Sequence, residues 1–156
     1  MSSAWIRQAA SLGQQGEAEA EFQVIWDTGA SATCISPAVS KRLGLRPISM
    51  ATVHAAGNSY DSQVFKVDVK LPNNLRVIDV RVLEAVNIHG ADVLIGMDII
   101  TTGDFTVTNA DNDTWFSFRF PPALDHIDYA AEANKIVQRR EHREQARRMQ
   151  RKGKLR

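Results

Sequence analysis

From Ser62 to Leu83 the chain alternates so regularly that a β-sheet is the fold it can satisfy most easily. In "SQVFKVDVKLP", Val64, Lys66, Asp68 and Lys70 share one face, and Phe65, Val67, Val69 and Leu71 share the other. "LRVIDVRVL" repeats the two-residue period, and "PNN" (Pro72 to Asn74) between the two is a turn signal, so the pair is expected to form a hairpin. "DFTVTN" and "TWFSFRF" around "ADND" (Ala110 to Asp113) predict a second hairpin. Upstream, "EAEFQVIWD" alternates and then turns apolar as it reaches Asp27. One short helix is expected in this region, with Ser36 as N-cap, Pro37 at its first position and "AVSKRLG" ending at Gly44. Pro121-Pro122 closes the β region, because neither residue can donate to a ladder.

The length of 156 residues suits one well-cored domain, placed at 1–122, followed by a basic helical extension at 123–156. No apolar run approaches the ~20 residues that span a bilayer. The start, Met1-Ser2-Ser3-Ala4-Trp5, lacks the basic and apolar parts of a secretion signal. Cys34 is the only cysteine and has no internal partner, which agrees with a reducing compartment, and a cytoplasmic location is the expectation. The histidines (His54, His89, His126, His142) show no metal-ligand spacing, so neither a metal nor another cofactor is expected.

The chemistry concentrates in "QVIWDTGASATCIS" (Gln23 to Ser36). Asp-Thr-Gly behind an apolar strand has three readings. The first is plain turn chemistry, with glycine at positive φ and Asp or Thr bonding nearby amides. The second is a phosphate-binding hairpin of the actin-like or sugar-kinase-like ATPases. Those proteins need two large lobes, and a β-rich body of about 120 residues has no room for them. The third is an aspartic peptidase.

Asp27-Thr28-Gly29-Ala30 resembles the active-site loop of retropepsin-like (retroviral-type) aspartic proteases. About seventy residues downstream, "VLIGMDII" (Val93 to Ile100) resembles that family's second motif, an apolar pair followed by Gly, a variable residue and an acid or amide. The order of parts agrees as well: loop, short helix, flap hairpin, central strands, Ile-Gly-x-Asp turn and helix, and final strands. The likeness covers roughly Phe22 to Phe120, and "GMDIITTGDFTVTN…TWFSFRFPP" resembles a bacterial-type branch more than a viral one. The resemblance implies an all-β, single-lobe acid protease fold with short helices and a C-terminal helical extension, and aspartic endopeptidase activity.

Hydrolysing a peptide without a metal requires a water made nucleophilic and a carbonyl polarised together. Two carboxylates about 3 Å apart share one proton, so one takes a proton from water while the other serves the carbonyl. The chain carries one Asp-Thr-Gly and no Asp-Ser-Gly, so a monomer supplies half a site and the resemblance implies a symmetric homodimer with Asp27 from each copy at the twofold axis. By the family pattern Thr28 bonds the opposing loop, and Gly29 lets the backbone approach the carboxylate. Ala30 has no hydroxyl to offer the acid, which points to activity at mildly acidic pH. Ser31 and Met97 stand where retroviral enzymes often carry an Asp–Arg pair. Both halves are missing together, so no charge is stranded. Ser31 is either a substrate contact or a turn residue.

The flap is expected at "TVHAAGNSYDSQVF" (Thr52 to Phe65), with Ala56, Gly57 and Asn58 near its tip as substrate-contacting positions. His54 and Tyr60 are further candidates to face substrate. Gly96 is expected to allow close packing beneath the loop, Asp98 to be a cap or turn acid, and Cys34 to be a small core residue. Opposed to the enzyme stands a catalytically silent dimeric module that binds peptides or assembles a complex through its basic tail, which would contact nucleic acid or an acidic partner.

The tail differs in charge from the body. From Lys135 to Arg156 ten Lys or Arg face only Glu141 and Glu144, a net of +8, leaving nine basic against sixteen acidic residues elsewhere, a net of −7. Such a segment suits nucleic-acid phosphates, an anionic surface or an acidic partner, or is a solvated helix. Leu124, Ile127, Tyr129, Ala133, Ile136 and Val137 are expected to give its first half an apolar side to dock.

Overall fold

The computed structural model describes residues 2–13, 19–55, 58–88 and 90–153, with backbone alone at 55, 58 and 151–153. The chain divides into two units, Met1–Pro122 and Ala123–Arg156. In order, the first contains β1 (Ser2–Gln8), β2 (Ala20–Trp26), β3 (Cys34–Ile35), α1 (Pro37–Arg42), β4 (Ser49–Ala55), β5 (Asn58–Lys70), β6 (Arg76–Glu84), β7 (Val93–Ile95), α2 (Met97–Ile100), β8 (Asp104–Ala110) and β9 (Asp113–Arg119). The second contains α3 (Tyr129–Gly153).

Seven strands form one sheet in the order β1-β2-β7-β3-β6-β5-β4, and β1 also pairs with β5, so the sheet closes on itself like a barrel. The β5–β6 hairpin forms where the alternation predicts it, running antiparallel from Val64↔Leu83 to Lys70↔Arg76. Phe65, Val67, Val69 and Leu71 enter the core with Ile6, Phe22, Val24, Ile35, Val82, Val93, Ile95 and Ile99. The polar face of β5 is less solvated than its residue types imply. Asp68 is 1% exposed, and its Oδ2 accepts from Arg7 Nε at 3.0 Å and Nη2 at 2.8 Å. Its Oδ1 accepts the Asp79 amide at 3.1 Å, beside a ladder slip between Val67 and Val69 where Asp79 takes φ +60°. Burying this carboxylate is possible because β1 pairs beside β5 and sets Arg7 directly opposite Asp68.

In α1 the N-cap is Ser36, but its hydroxyl makes no cap bond; the Ser36 carbonyl accepts the Val39 amide at 3.0 Å, and Gly44 leaves the helix at φ +60°. The second predicted hairpin is β8–β9, turned by Asp111 and Asn112 at φ +52° and +67°, the backbone a two-residue hairpin loop requires. One face of it meets Trp26: the rings of Phe105, Phe116 and Phe118 lie 5.7, 5.7 and 5.2 Å from the indole. The hairpin thus braces the residue that precedes Asp27.

In the second unit, α3 begins at Tyr129, later than the run of helix formers suggested, because Asp128 caps it: its Oδ1 accepts the Ala131 amide at 2.9 Å. Leu124 and Ile127 precede the helix, and both are exposed together with Tyr129, Ile136 and Val137.

Candidate active site

Three short strands create the loop that carries Asp27. β7 sits between β2 and β3, parallel to β2 (Trp26↔Ile95) and antiparallel to β3 (Cys34↔Leu94). Residues 27–33 therefore bridge the end of β7, above the turn that follows it. Backbone bonds fasten the bridge down. The Asp27 amide donates to Ile95 O at 2.9 Å and the Met97 amide to Ala30 O at 2.8 Å.

A side-chain latch completes the fastening. Thr33 is fully buried, and both its amide and its hydroxyl donate to Asp98, at 2.9 Å to Oδ2 and 2.7 Å to Oδ1. The same hydroxyl oxygen accepts the Gly96 amide at 3.1 Å. Asp98 also accepts the Ile99 amide at 3.0 Å, so it is the turn acid expected and in addition the anchor of the loop's far end. Thr33 did not stand out in the sequence; its partner is 65 positions away, and only an acid in the first turn after Gly96 hinted at it. Gly96 has ordinary extended backbone and is required for space instead: a Cβ there would lie 2.6 Å from the Ala32 carbonyl carbon and 2.7 Å from its oxygen.

Within this frame the Gly29 amide donates to Asp27 Oδ1 at 2.8 Å, and the Ala30 amide to Asp27 O at 3.3 Å. Among the described residues nothing bonds Asp27 Oδ2 or the exposed Thr28 hydroxyl. Asp27 opens onto a cleft of about 400 Å³ whose walls include Gly29, Ala30 and Ser31 from the loop, Leu83, Ile88 and Leu94 from the body, and Val53, His54 and Tyr60 from the β4–β5 hairpin. His54 and Tyr60 thus both face the cleft. His54 is steadied by Ser59 Oγ, 2.7 Å from its Nδ1. Ala56 and Gly57 lie outside the described residues; Asn58 pairs with Ala55 across the hairpin end.

Cys34 departs from expectation. It is half-buried on the cleft wall instead of in the core, and its pKa is raised to about 11, chiefly by burial and then by the nearby Asp98 and Asp27. A thiol held protonated in this way is a poor nucleophile.

With the acid, its loop and its cleft in place, sequence comparison is decisive: the model of the family described as "gag-polyprotein putative aspartyl protease" matches residues 17–102, more than half the chain. The chain belongs to this retroviral-type aspartyl protease family. Among solved structures, the solution structure of simian foamy virus (mac) protease is similar at 18% identity and TM-score 0.44, over 64% of this chain and 90% of that one. The foamy viral protease–reverse transcriptase in complex with an RNA/DNA hybrid is similar at 18% identity and TM-score 0.44, over 86% of this chain and 14% of that one. No curated protein matches. As a retropepsin-like chain it has the all-β, single-lobe body that membership requires, and no helix among the described residues is long and apolar enough to cross a membrane.

Proposed function

We propose that the protein is an aspartic endopeptidase that works as a homodimer in the cytoplasm, cleaving extended peptides. The observation that carries this reading is Asp27 itself. Its Oδ1 is engaged by the Gly29 amide, its Oδ2 is left open, and it lies at the wall of a peptide-sized cleft in a chain with one such motif. Two copies bring two Asp27 carboxylates together to share a proton. The ionised one draws a proton from water, and the water oxygen attacks the scissile carbonyl while the protonated one gives its proton to the carbonyl oxygen. The C–N bond then breaks as the amine nitrogen takes the proton drawn from water and the carbonyl re-forms, returning its proton to the other carboxylate. The Thr28 hydroxyl, without a partner in its own chain, bonds the loop of the other copy and holds the two acids against their repulsion. Ser31 and the end of the β4–β5 hairpin contact the substrate backbone, and closure of that hairpin excludes water.

The test is cleavage of a diverse peptide pool by wild type and Asp27→Asn, with molar mass measured by light scattering alongside. Loss of every cut in a variant that still dimerises supports the reading. Identical cuts from the two proteins, or none from a well-folded wild-type dimer, reduce the chain to a peptide-binding module.

A further inference from the structure

The basic segment beyond Pro122 plays no part in the proposed hydrolysis. In α3 four of the cations share one face, with Lys135 and Arg148 lying to either side of it. At 3.6 residues per turn Arg139, Arg140, Arg143 and Arg147 fall within an arc of roughly 100°, with Glu141 and Glu144 outside it. All four are exposed. Arg139, Arg143 and Arg147 follow one another at a rise of about 6 Å, a row of like charges that weakens the helix in isolation. A row of this kind is relieved by an anion with a comparable repeat.

The nature of the anion follows from what the helix lacks. A helix that lies on a membrane carries an apolar face opposite its cations. Here Tyr129, Ala133, Ile136 and Val137 share an arc of roughly 100° that overlaps the arginine row instead of opposing it, and Met149 points elsewhere. Single-stranded nucleic acid is usually held by aromatic rings interleaved with the charges, and 135–156 contains none. A duplex asks only for a row of cations against its phosphates, and its major groove, about 12 Å wide, admits a helix about 10–12 Å across.

We infer that the arginine row of α3 is a docking surface for double-stranded nucleic acid, engaged through the phosphate backbone without regard to sequence. This does not depend on the peptidase reading. The test uses the full chain and a fluorescein-labelled 20-base-pair duplex followed by anisotropy. About four phosphate contacts predict binding at 50 mM salt that weakens by roughly 10²-fold at 200 mM, equally for unrelated sequences. Replacing the four arginines by Gln should remove most of the affinity and lower the salt slope by about 4, while replacing all four by Lys should retain both. The inference is overturned by no binding at 50 mM salt, by a Gln variant that binds like wild type, by a Lys variant that fails as the Gln variant does, or by retention on phosphatidylserine vesicles in a protein that ignores the duplex.

Discussion

The two walls of the cleft are built in opposite ways. The Asp27 loop is tied to the turn after β7 by backbone bonds from Asp27 and Met97 and by the Thr33–Asp98–Gly96 latch, over a core of Val24, Val93, Ile95 and Ile99. The β4–β5 hairpin facing it has Met50, Thr52, His54, Ser59, Tyr60 and Asp61 exposed, and it is steadied across its strands by Thr52–Asp61 and His54–Ser59. β4 is also the last strand of its sheet. A wall with little buried apolar area opens at low cost, whereas one bonded at both ends cannot shift without breaking several bonds. The contrast teaches that this chain fixes its acid and leaves its cover free to yield.

The largest effect should come from Gly96→Ala. Its methyl has backbone, not a flexible side chain, in its way, so destabilisation of about 3 kcal/mol is expected in urea titration. A change under 0.5 kcal/mol would show that the loop is not pinned there. Asp98→Ala should cost about 2 kcal/mol by leaving two buried Thr33 donors unpaired, with Asp98→Asn milder. Thr28→Ala should leave the fold intact and, on the proposed dimeric reading in which its hydroxyl bonds the other copy, raise the dimer Kd about tenfold by sedimentation. On the other wall, His54→Ala should alter stability by less than about 0.5 kcal/mol. It should act on KM for peptides; an effect on melting as large as that of Asp98→Ala would erase the contrast between the walls.

Cys34 yields the subtlest reading. Burial raises its pKa, so the folded state prefers the neutral thiol. Below pH 9 this has no effect on stability, and as pH climbs from 9 towards 11 the unfolded chain ionises first and stability falls. Cys34→Ser should flatten that decline. At pH 8 native labelling by a thiol reagent should be slower than in denaturant by roughly tenfold or more.

Much of this was visible in the residues. The two-residue period of β5 and β6 and the Asp-Asn turn of β8–β9 are local signals, and they formed as read. The two motifs that frame the loop were also legible, since each is a few contiguous residues. β1 escaped notice because "SSAWIRQ" is short and has no turn residues at its ends, yet it buries Ala4 and Ile6 and closes the sheet. The burial of Asp68 is not legible from the alternation, because it depends on Arg7, which lies 61 positions earlier. Thr33 was missed for the same reason, and Cys34 was misplaced because a half-buried wall and a core use the same small residues.

The parallel match of Val24, Ile25 and Trp26 to Val93, Leu94 and Ile95 carries a temporal consequence. During synthesis the acid leaves the ribosome some seventy residues before the strand that shapes its loop, and at about 5–20 residues per second that interval lasts seconds. Throughout it the loop of Asp27 lacks the bonds from Ile95, Met97 and Asp98 that later hold it in place.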